Sequence, residues 1–390
     1  YLRNMSAITK LVSDTKQANK TFYRTERLEA QTGNDSMKFN YNGISQFSSI
    51  RNTASSSTLD RLGFKSEGTN LNLRYQNNTI IADSLFGIKY NLSNFDLNKY
   101  GFNHVTSEKT MGLYQNNNAS QLAILTDGIY KNIDFTVNTL DNQTNLLNAL
   151  SGLNLTYFKR APSQLFDQDA KSLNQRVAKN VSNSNKDFVT ITYRVIAPPH
   201  SQLYVSVPNI SWSDDNNHSL SITVNGVTRN QVTDNTFDFF DLGYFETESM
   251  VTIKLSFPGN KAISFDNPSF YALDTQNYQI AMDTINERDS KVTTSNNKVF
   301  VDYSSKTNAS LFFTIPYDKG WTATINHKKV KIQRAQKGFM KVDVPSGKGK
   351  VVLTFIPYGL KTGLLISLLA SIIFCCYAYF IRKITVIQKR

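Results

Sequence analysis

Val189–Val195 reads VTITYRV: Val189, Ile191, Tyr193 and Val195 alternate with Thr190, Thr192 and Arg194. A period of two puts the large side chains on one face of an extended chain and the polar ones on the other, as in a half-buried antiparallel strand. Leu203, Val205 and Val207 repeat the pattern, and so do Leu220, Ile222 and Val224, which run straight into Asn225-Gly226. Asn-Gly tolerates positive φ at both central positions of a two-residue turn, so a hairpin is predicted there. Val251, Ile253, Leu255 and Phe257 make another strand, closed by Pro258-Gly259. Short alternating strands divided by turn residues predict a β-sandwich of jelly-roll type over residues 161–275.

Upstream, residues 1–160 read as a mixed α/β region. Met5–Lys16, Ser56–Gly63 and Asp141–Gly152 have helical spacing, and Phe22–Arg27 reads as a strand. In Asp141–Gly152, Leu146, Leu147 and Leu150 share one helical face and Gly152 supplies the stop. Downstream, residues 276–358 read as a linking helix, Gln276–Asp289, followed by a small basic β domain with strands at Leu311–Ile315, Thr322–Asn326, Met340–Val344 and Lys350–Ile356. Pro357 and Gly359 separate this domain from Thr362–Ile381, a stretch of twenty residues without a charge. At about 1.5 Å per residue, such a helix matches the roughly 30 Å hydrocarbon core of a bilayer. Lys361 and Arg382 bracket it, and Tyr358, Tyr377 and Tyr379 lie near its ends, where amphipathic rings favour headgroups. The expected fold is mainly β with some α (α+β): sandwich domains, then residues 359–390 as a transmembrane helix with a short basic tail. The bilayer is the expected partner of residues 362–381. Arg382, Lys383, Lys389 and Arg390 follow the span, against Lys348, Lys350 and Lys361 before it. That excess favours a cytoplasmic C-terminus at the cell membrane and an extracytoplasmic bulk.

Charge is unevenly distributed. Of 390 residues, 43 are Lys or Arg and 30 are Asp or Glu, a net charge of +13. Residues 361–390 contribute +5 and Tyr317–Lys350 contribute +7, so the remainder is nearly neutral. This membrane-proximal basicity suits anionic headgroups or an anionic surface polymer, and equally a solvated lysine-rich face. Lys328, Lys329, Lys331, Lys337 and Lys341 are the candidate binding residues, expected on one exposed face. No helix or recognised motif carries these lysines, which disfavours nucleic acid.

Catalytic and metal-site signals are weak. The cysteines, Cys375 and Cys376, both lie in the apolar span, and His104, His200, His218 and His327 are scattered. That pattern supports neither a disulfide framework nor a zinc site, and no metal or cofactor is expected. The sequence holds no Gly-rich phosphate loop, GxSxG or HExxH. Asp214-Asp215, Glu246 with Glu248, and Asp266-Asn267 sit in polar turns and read better as solvated loops than as acid/base pairs. Trp212 and Trp321 could stack on sugar rings, although core packing is the simpler role for each. No catalytic residue is nominated.

Several segments resemble the YfhO family of bacterial membrane proteins. The ending carries the resemblance best: IPYDKGWTATINHKKV (Ile315–Val330), GFMKVDVPSGKGKVVLTFIPYG (Gly338–Gly359) and KTGLLIS (Lys361–Ser367). YNGISQFSS (Tyr41–Ser49), DSLFGIKY (Asp83–Tyr90) and DNQTNLLNALSG (Asp141–Gly152) agree with it. Asn326-His327 departs from the acid-then-Gly turn more usual in the family. The resemblance implies a C-type glycosyltransferase that moves sugar from a polyprenyl-phosphate carrier to a cell-envelope polymer such as lipoteichoic acid. It also implies a catalytic carboxylate in an early outer loop, ahead of Tyr1, so this chain reads as the C-terminal part of a longer product. Its own part would be to position the acceptor, with the basic patch facing polymer or carrier phosphate. The alternative is a membrane-anchored carbohydrate-binding or adhesion module without enzymatic activity, with Trp212 or Tyr204 in a sugar groove.

Overall fold

A computed structural model describes the chain except residues 1–3, 31, 51, 65, 68–71, 76–77, 169–172, 177–178, 183–187, 213–218, 233–238, 259–262 and 389–390. The alternation at Val189–Val195 forms the middle of strand Phe188–Ala197, which pairs antiparallel with Ser249–Pro258 along its whole length. These two strands centre a five-stranded sheet flanked by Ser163–Gln168 on one side and by Ser219–Val224 and Val227–Val232 on the other. Asn225 and Gly226 both take positive φ (46° and 91°) between paired Val224 and Val227, the predicted hairpin. A second sheet, ordered Phe239–Phe245, Ser201–Ser206, Ser269–Asp274 and Phe158–Arg160, covers the first. Ile191, Val195, Ile253 and Leu255 from one layer interleave with Leu203, Val205, Phe240 and Phe270 from the other. This is the middle sandwich.

A second sandwich precedes the membrane. Its five-stranded sheet runs Ser290–Ser295, Lys298–Ser305, Gly347–Phe355, Trp321–Ile325 and Lys328–Val330. The opposing sheet runs Gln333–Ala335, Phe339–Val344, Ala309–Pro316 and Ala123–Leu125. Asn326 and His327 turn the hairpin with φ of 46° and 69°, so the departure from the family's usual residues leaves the two-residue turn intact, with His327 in a region that seldom suits a side chain. Strand Ala123–Leu125 comes from the first region of the chain, so packing crosses the linear boundaries expected at 160 and 275.

The first region is built around parallel strands Arg24–Arg27 and Ile88–Ser93, extended by Met111–Asn116 and Phe102–Glu108. Helix Thr139–Ser151 ends on Gly152 at φ 80°, whose N–H reaches the Asn148 carbonyl, as the glycine stop predicted. Helix Thr275–Asn286 runs from the last strand of the middle sandwich to the first of the second, and it is packed inside the protein. Tyr278, Ala281 and Met282 are fully buried in a core shared with Leu146, Leu147 and Leu150 and with Phe312 and Phe339 of the second sandwich. The C-terminal helix, Leu360–Gln388, is apolar enough to cross a membrane over Leu360–Arg382 and buries none of that stretch against the protein.

Buried charges tie the regions together. Arg24 is buried and donates from Nη1 to the Phe86 carbonyl (2.6 Å) and from Nη2 to the Thr314 carbonyl (2.7 Å), joining the first region to the second sandwich. Asp83 and Lys99 form a fully buried ion pair, and Lys99 also donates to the Tyr75 hydroxyl at 3.2 Å. Buried Arg27 pairs with Asp35 at 3.0 Å. Glu26 accepts from the Ile44 N–H, from the Ser45 N–H (3.0 Å) and from the Ser45 hydroxyl (3.0 Å), pinning the loop that contains Gly43. On the middle sandwich, the Tyr204 hydroxyl accepts from the Ile80 N–H (3.1 Å) and Gln202 Oε1 from the Tyr100 N–H (2.9 Å). Two segments singled out in the sequence, Tyr41–Ser49 and Asp83–Tyr90, therefore meet around strand Arg24–Arg27.

Two tests follow. Burial raises the Glu26 carboxyl from 4.5 to about 7 despite its three donors. A carboxyl raised on folding holds its proton more in the folded state. Its contribution is thus complete below about pH 4.5 and lost as pH rises through about 7. Glu26→Gln keeps an oxygen acceptor and cannot ionise, so the fall in unfolding free energy of the detergent-solubilised chain between those pH values should flatten; an unchanged slope contradicts this. Second, a Cβ on Gly338 would stand 2.6 Å from Ser55 Cα and from Thr58 Oγ1. Gly338→Ala should cost about 1–3 kcal/mol, seen as a lower melting temperature by circular dichroism.

Candidate functional site

Strand Gly347–Phe355 runs directly toward the membrane helix, and its period of two sorts the surrounding lysines. Val351 and Leu353 face the core with Val299, Val301, Ala323 and Ile325. The alternate positions form cross-strand rows on the outer face: Ser304 with Lys348; Lys291, Asp302 and Lys350; Thr293, Phe300, Val352, Thr324 and Lys329; Ser295, Lys298, Thr354 and Thr322. Neighbouring strands are about 4.8 Å apart and successive rows about 7 Å, so Lys291, Lys298, Lys329, Lys348 and Lys350 share one surface. All five are exposed. Asp302 is the acid in these rows, 3.5 Å from Lys350, with both side chains more than half exposed. That pair cancels little of the field. Lys350 also lies over the Phe300 ring, 5.6 Å from its centroid.

The sequence-derived lysine set is only partly brought together. Lys329 belongs to this face. Lys328 is exposed but stands opposite Ile325, on the other side of the same short edge strand. Lys331 is exposed beyond that strand's end, and Lys337, also exposed, occupies the turn before Phe339 in the opposing sheet, with φ 60°. Lys341 corrects the expectation of one exposed face: it is 7% exposed. Its ammonium donates to the Tyr130 carbonyl at 2.8 Å and to Asp343 at 3.0 Å, and the Asp343 carboxyl, though raised by its own partial burial, ends below the usual range through donors from Ser310, Lys341 and Gln333. Lys291 and Lys298 escaped notice because they lie outside the basic run Tyr317–Lys350. The alternation of Lys298, Phe300 and Asp302 with Val299, Val301 and Tyr303 was the available signal.

The aromatic candidates separate similarly. Trp321 packs on Phe355 at 5.0 Å and against the edge of the second sandwich's core, an anchoring position. The Trp212 backbone pairs with Ile263 in a short strand. Tyr204 is 1% exposed and forms no groove. Asp214-Asp215 lies outside the described residues. Glu246 and Glu248 are exposed, as solvated turns would be. Asp266 accepts from Asn209 Nδ2 at 2.5 Å.

A different cleft, of about 210 Å³, lies on the middle sandwich, where Asn98 of the first region meets Val224, Arg229, Gln231, Asp241 and Phe245. Burial raises the Asp241 carboxyl to about 6, opposed by Lys99, Arg229, the Gly243 N–H and Gln202. Its oxygens accept from Gln202 Nε2 at 2.9 and 3.0 Å. Carboxylate, guanidinium, amides and one ring converge there, a chemistry suited to a neutral polar ring. Among the described residues no group of three or more His, Cys, Asp and Glu is placed to hold a metal ion.

The family described as bacterial membrane protein YfhO matches residues 1–367. A relative from Bacillus subtilis (strain 168), "Uncharacterized protein YfhO", is 25% identical over 135 residues, covering 33% of this chain and 16% of the relative. Among solved structures, arabinofuranosyltransferase AftD from Mycobacteria is 10% identical, covering 74% of this chain and 31% of its own, with a TM-score of 0.20. The N-terminal tandem CBM22 domain of Paenibacillus barcinonensis Xyn10C is 10% identical over 52% of this chain and 91% of its own, with a TM-score of 0.18. Scores that low carry no argument. The family match runs from the first residue into the membrane helix, and the chain belongs to the YfhO family of bacterial membrane proteins.

Proposed function

We propose that this chain is the extracytoplasmic, acceptor-positioning part of a YfhO-type membrane glycosyltransferase that uses a polyprenyl-phosphate sugar. The acceptor is an anionic cell-envelope polymer such as lipoteichoic acid. The observation that carries the reading is the outer face of the second sandwich: five exposed lysines against Asp302, laid on the strand that leads into the membrane helix. A polymer of repeated phosphates would meet several ammonium groups at once and be held close to the bilayer, where a lipid-linked donor must reside. Transfer itself falls to parts of the protein beyond this chain, whose match covers 16% of the Bacillus relative. The buried carboxyls of Glu26 and Asp83 are committed to internal partners. A second reading, binding of neutral glycan without catalysis, is favoured by the Asp241 cleft.

Changing Lys291, Lys298, Lys329, Lys348 and Lys350 to Gln in the full chain tests the first reading. Binding to purified lipoteichoic acid should weaken at least tenfold at physiological ionic strength and lose most of its salt dependence. Lys328→Gln with Lys331→Gln should change it far less. Equal binding by the five-Gln variant and the parent overturns the polymer-positioning role. Affinity for neutral glycan that Asp241→Asn abolishes would support the second reading instead.

A further inference from the structure

The start of the membrane helix is locked to a loop far away in sequence. The Ile356 N–H donates to the Gly320 carbonyl at 3.0 Å, and the Lys319 ammonium lies 5.7 Å from the Tyr358 ring. Only Pro357, Tyr358 and Gly359 then separate the sandwich from helix Leu360–Gln388. From Gly320 the contacts continue outward. Asp318 is spent on this turn, its carboxylate accepting from the Gly320 N–H at 2.6 Å. The Tyr317 N–H donates to the Gly338 carbonyl at 2.9 Å, and Arg334 lies over the Tyr317 ring at 4.5 Å. The Asn52 amide donates to the Tyr317 carbonyl at 2.7 Å. Two residues before Asn52, about 7 Å of chain, stands Ile50, which is 91% exposed.

Ile50 is presented deliberately. Its N–H and carbonyl both engage the Ser48 hydroxyl, at 3.2 and 2.5 Å, fixing the loop's backbone while its side chain touches nothing that buries it. Phe47, half exposed, is held beside the Asp35–Phe39 helix by a reciprocal pair of bonds with Asn34 (2.9 and 3.1 Å), and Met37 of that helix is 79% exposed. The same run of contacts carries exposed cations: Lys319 over Tyr358, Arg334 over Tyr317, Lys337 next to Gly338, and Lys361 at the opening of the helix. Large apolar side chains rimmed by cations are what an anionic bilayer surface accepts: the apolar groups enter the interface and the cations meet headgroup phosphates.

We infer that the loop bearing Phe47 and Ile50 is a second membrane contact, inserted into the interfacial layer of an anionic bilayer beside the transmembrane helix. Bilayer rather than protein is the occupant because the contacts from the loop lead to the start of the membrane helix, and the exposed cations along them carry the opposite charge to anionic headgroups. Lys319, Arg334 and Lys337 flank the contact electrostatically. It fixes the tilt of both sandwiches over the membrane and does not depend on which polymer or sugar the outer face receives.

The test uses the full chain with Cys375→Ser and Cys376→Ser, reconstituted into vesicles of mixed phosphatidylglycerol and phosphatidylcholine. Ile50→Cys, or Met250→Cys on the middle sandwich (67% exposed) as the aqueous control, carries an environment-sensitive fluorophore. The Ile50 label should emit to the blue and lose most of its intensity when shallow-nitroxide lipids are included, while the Met250 label does neither. An Ile50 label that behaves like the Met250 label overturns the contact. Adding Lys319→Gln, Arg334→Gln and Lys337→Gln should reduce quenching at Ile50; unchanged quenching overturns the electrostatic half.

Discussion

A charged side chain taken out of water must find a partner, and strand Arg24–Arg27 buries Arg24, Glu26 and Arg27 within four residues. Each finds its partner in a different stretch: Arg24 on the carbonyls of Phe86 and Thr314, Glu26 on residues 44 and 45, Arg27 on Asp35. Leaving any of these unmet would cost several kcal/mol. The strand therefore forms properly only when a loop, a helix and the second sandwich have all docked on it. Burial drives the Arg24 guanidinium down to about 10, with Glu26 nearby opposing the shift, and the Glu26 carboxyl up to about 7.

The function proposed for the chain depends on that assembly because its surfaces are composite. The basic outer face draws lysines from strands separated by more than fifty residues and arranges them by register alone. Among the described residues, the loop carrying Ile50 connects to the helix start through Asn52, Tyr317 and Gly320. Strand Gly347–Phe355 serves both, carrying Lys348 and Lys350 on its outer side and passing through Ile356 into the span. Polymer held on the sheet and lipid held at the loop would thus be positioned by one rigid element.

Local patterns in the sequence were reliable where the physics is local. Alternation at Val189–Val195, the Asn225-Gly226 turn, the Gly152 stop and the charge-free span each depend on neighbouring residues, and each stands where expected. What the sequence hid is non-local. Ala123–Leu125 joins a sheet whose other strands lie beyond residue 309, and nothing in three apolar residues specifies that partner. The burial of Thr275–Asn286 is non-local too, since its polar residues show in the sequence while the core receiving Tyr278 does not. Lys341 looked like its neighbours in a basic run, and alternation with Met340 and Val342 does put it on the outer face of its sheet, but the first region covers that face, so its ammonium meets the Tyr130 carbonyl and Asp343. Lys329 and Lys328 fall on opposite faces of one strand by β alternation, so residues that are neighbours in a linear charge count do not share one surface.

Native-state hydrogen exchange of the full chain in detergent tests most directly whether the regions form one body locked by buried charge. Amides of Arg24–Arg27 and of Ala309–Pro316 should open together, with the same free energy and the same response to mild denaturant. If Arg24–Arg27 exchanges through an opening far below that of Ala309–Pro316, the regions fold and move independently, and the charged strand is not what unites them.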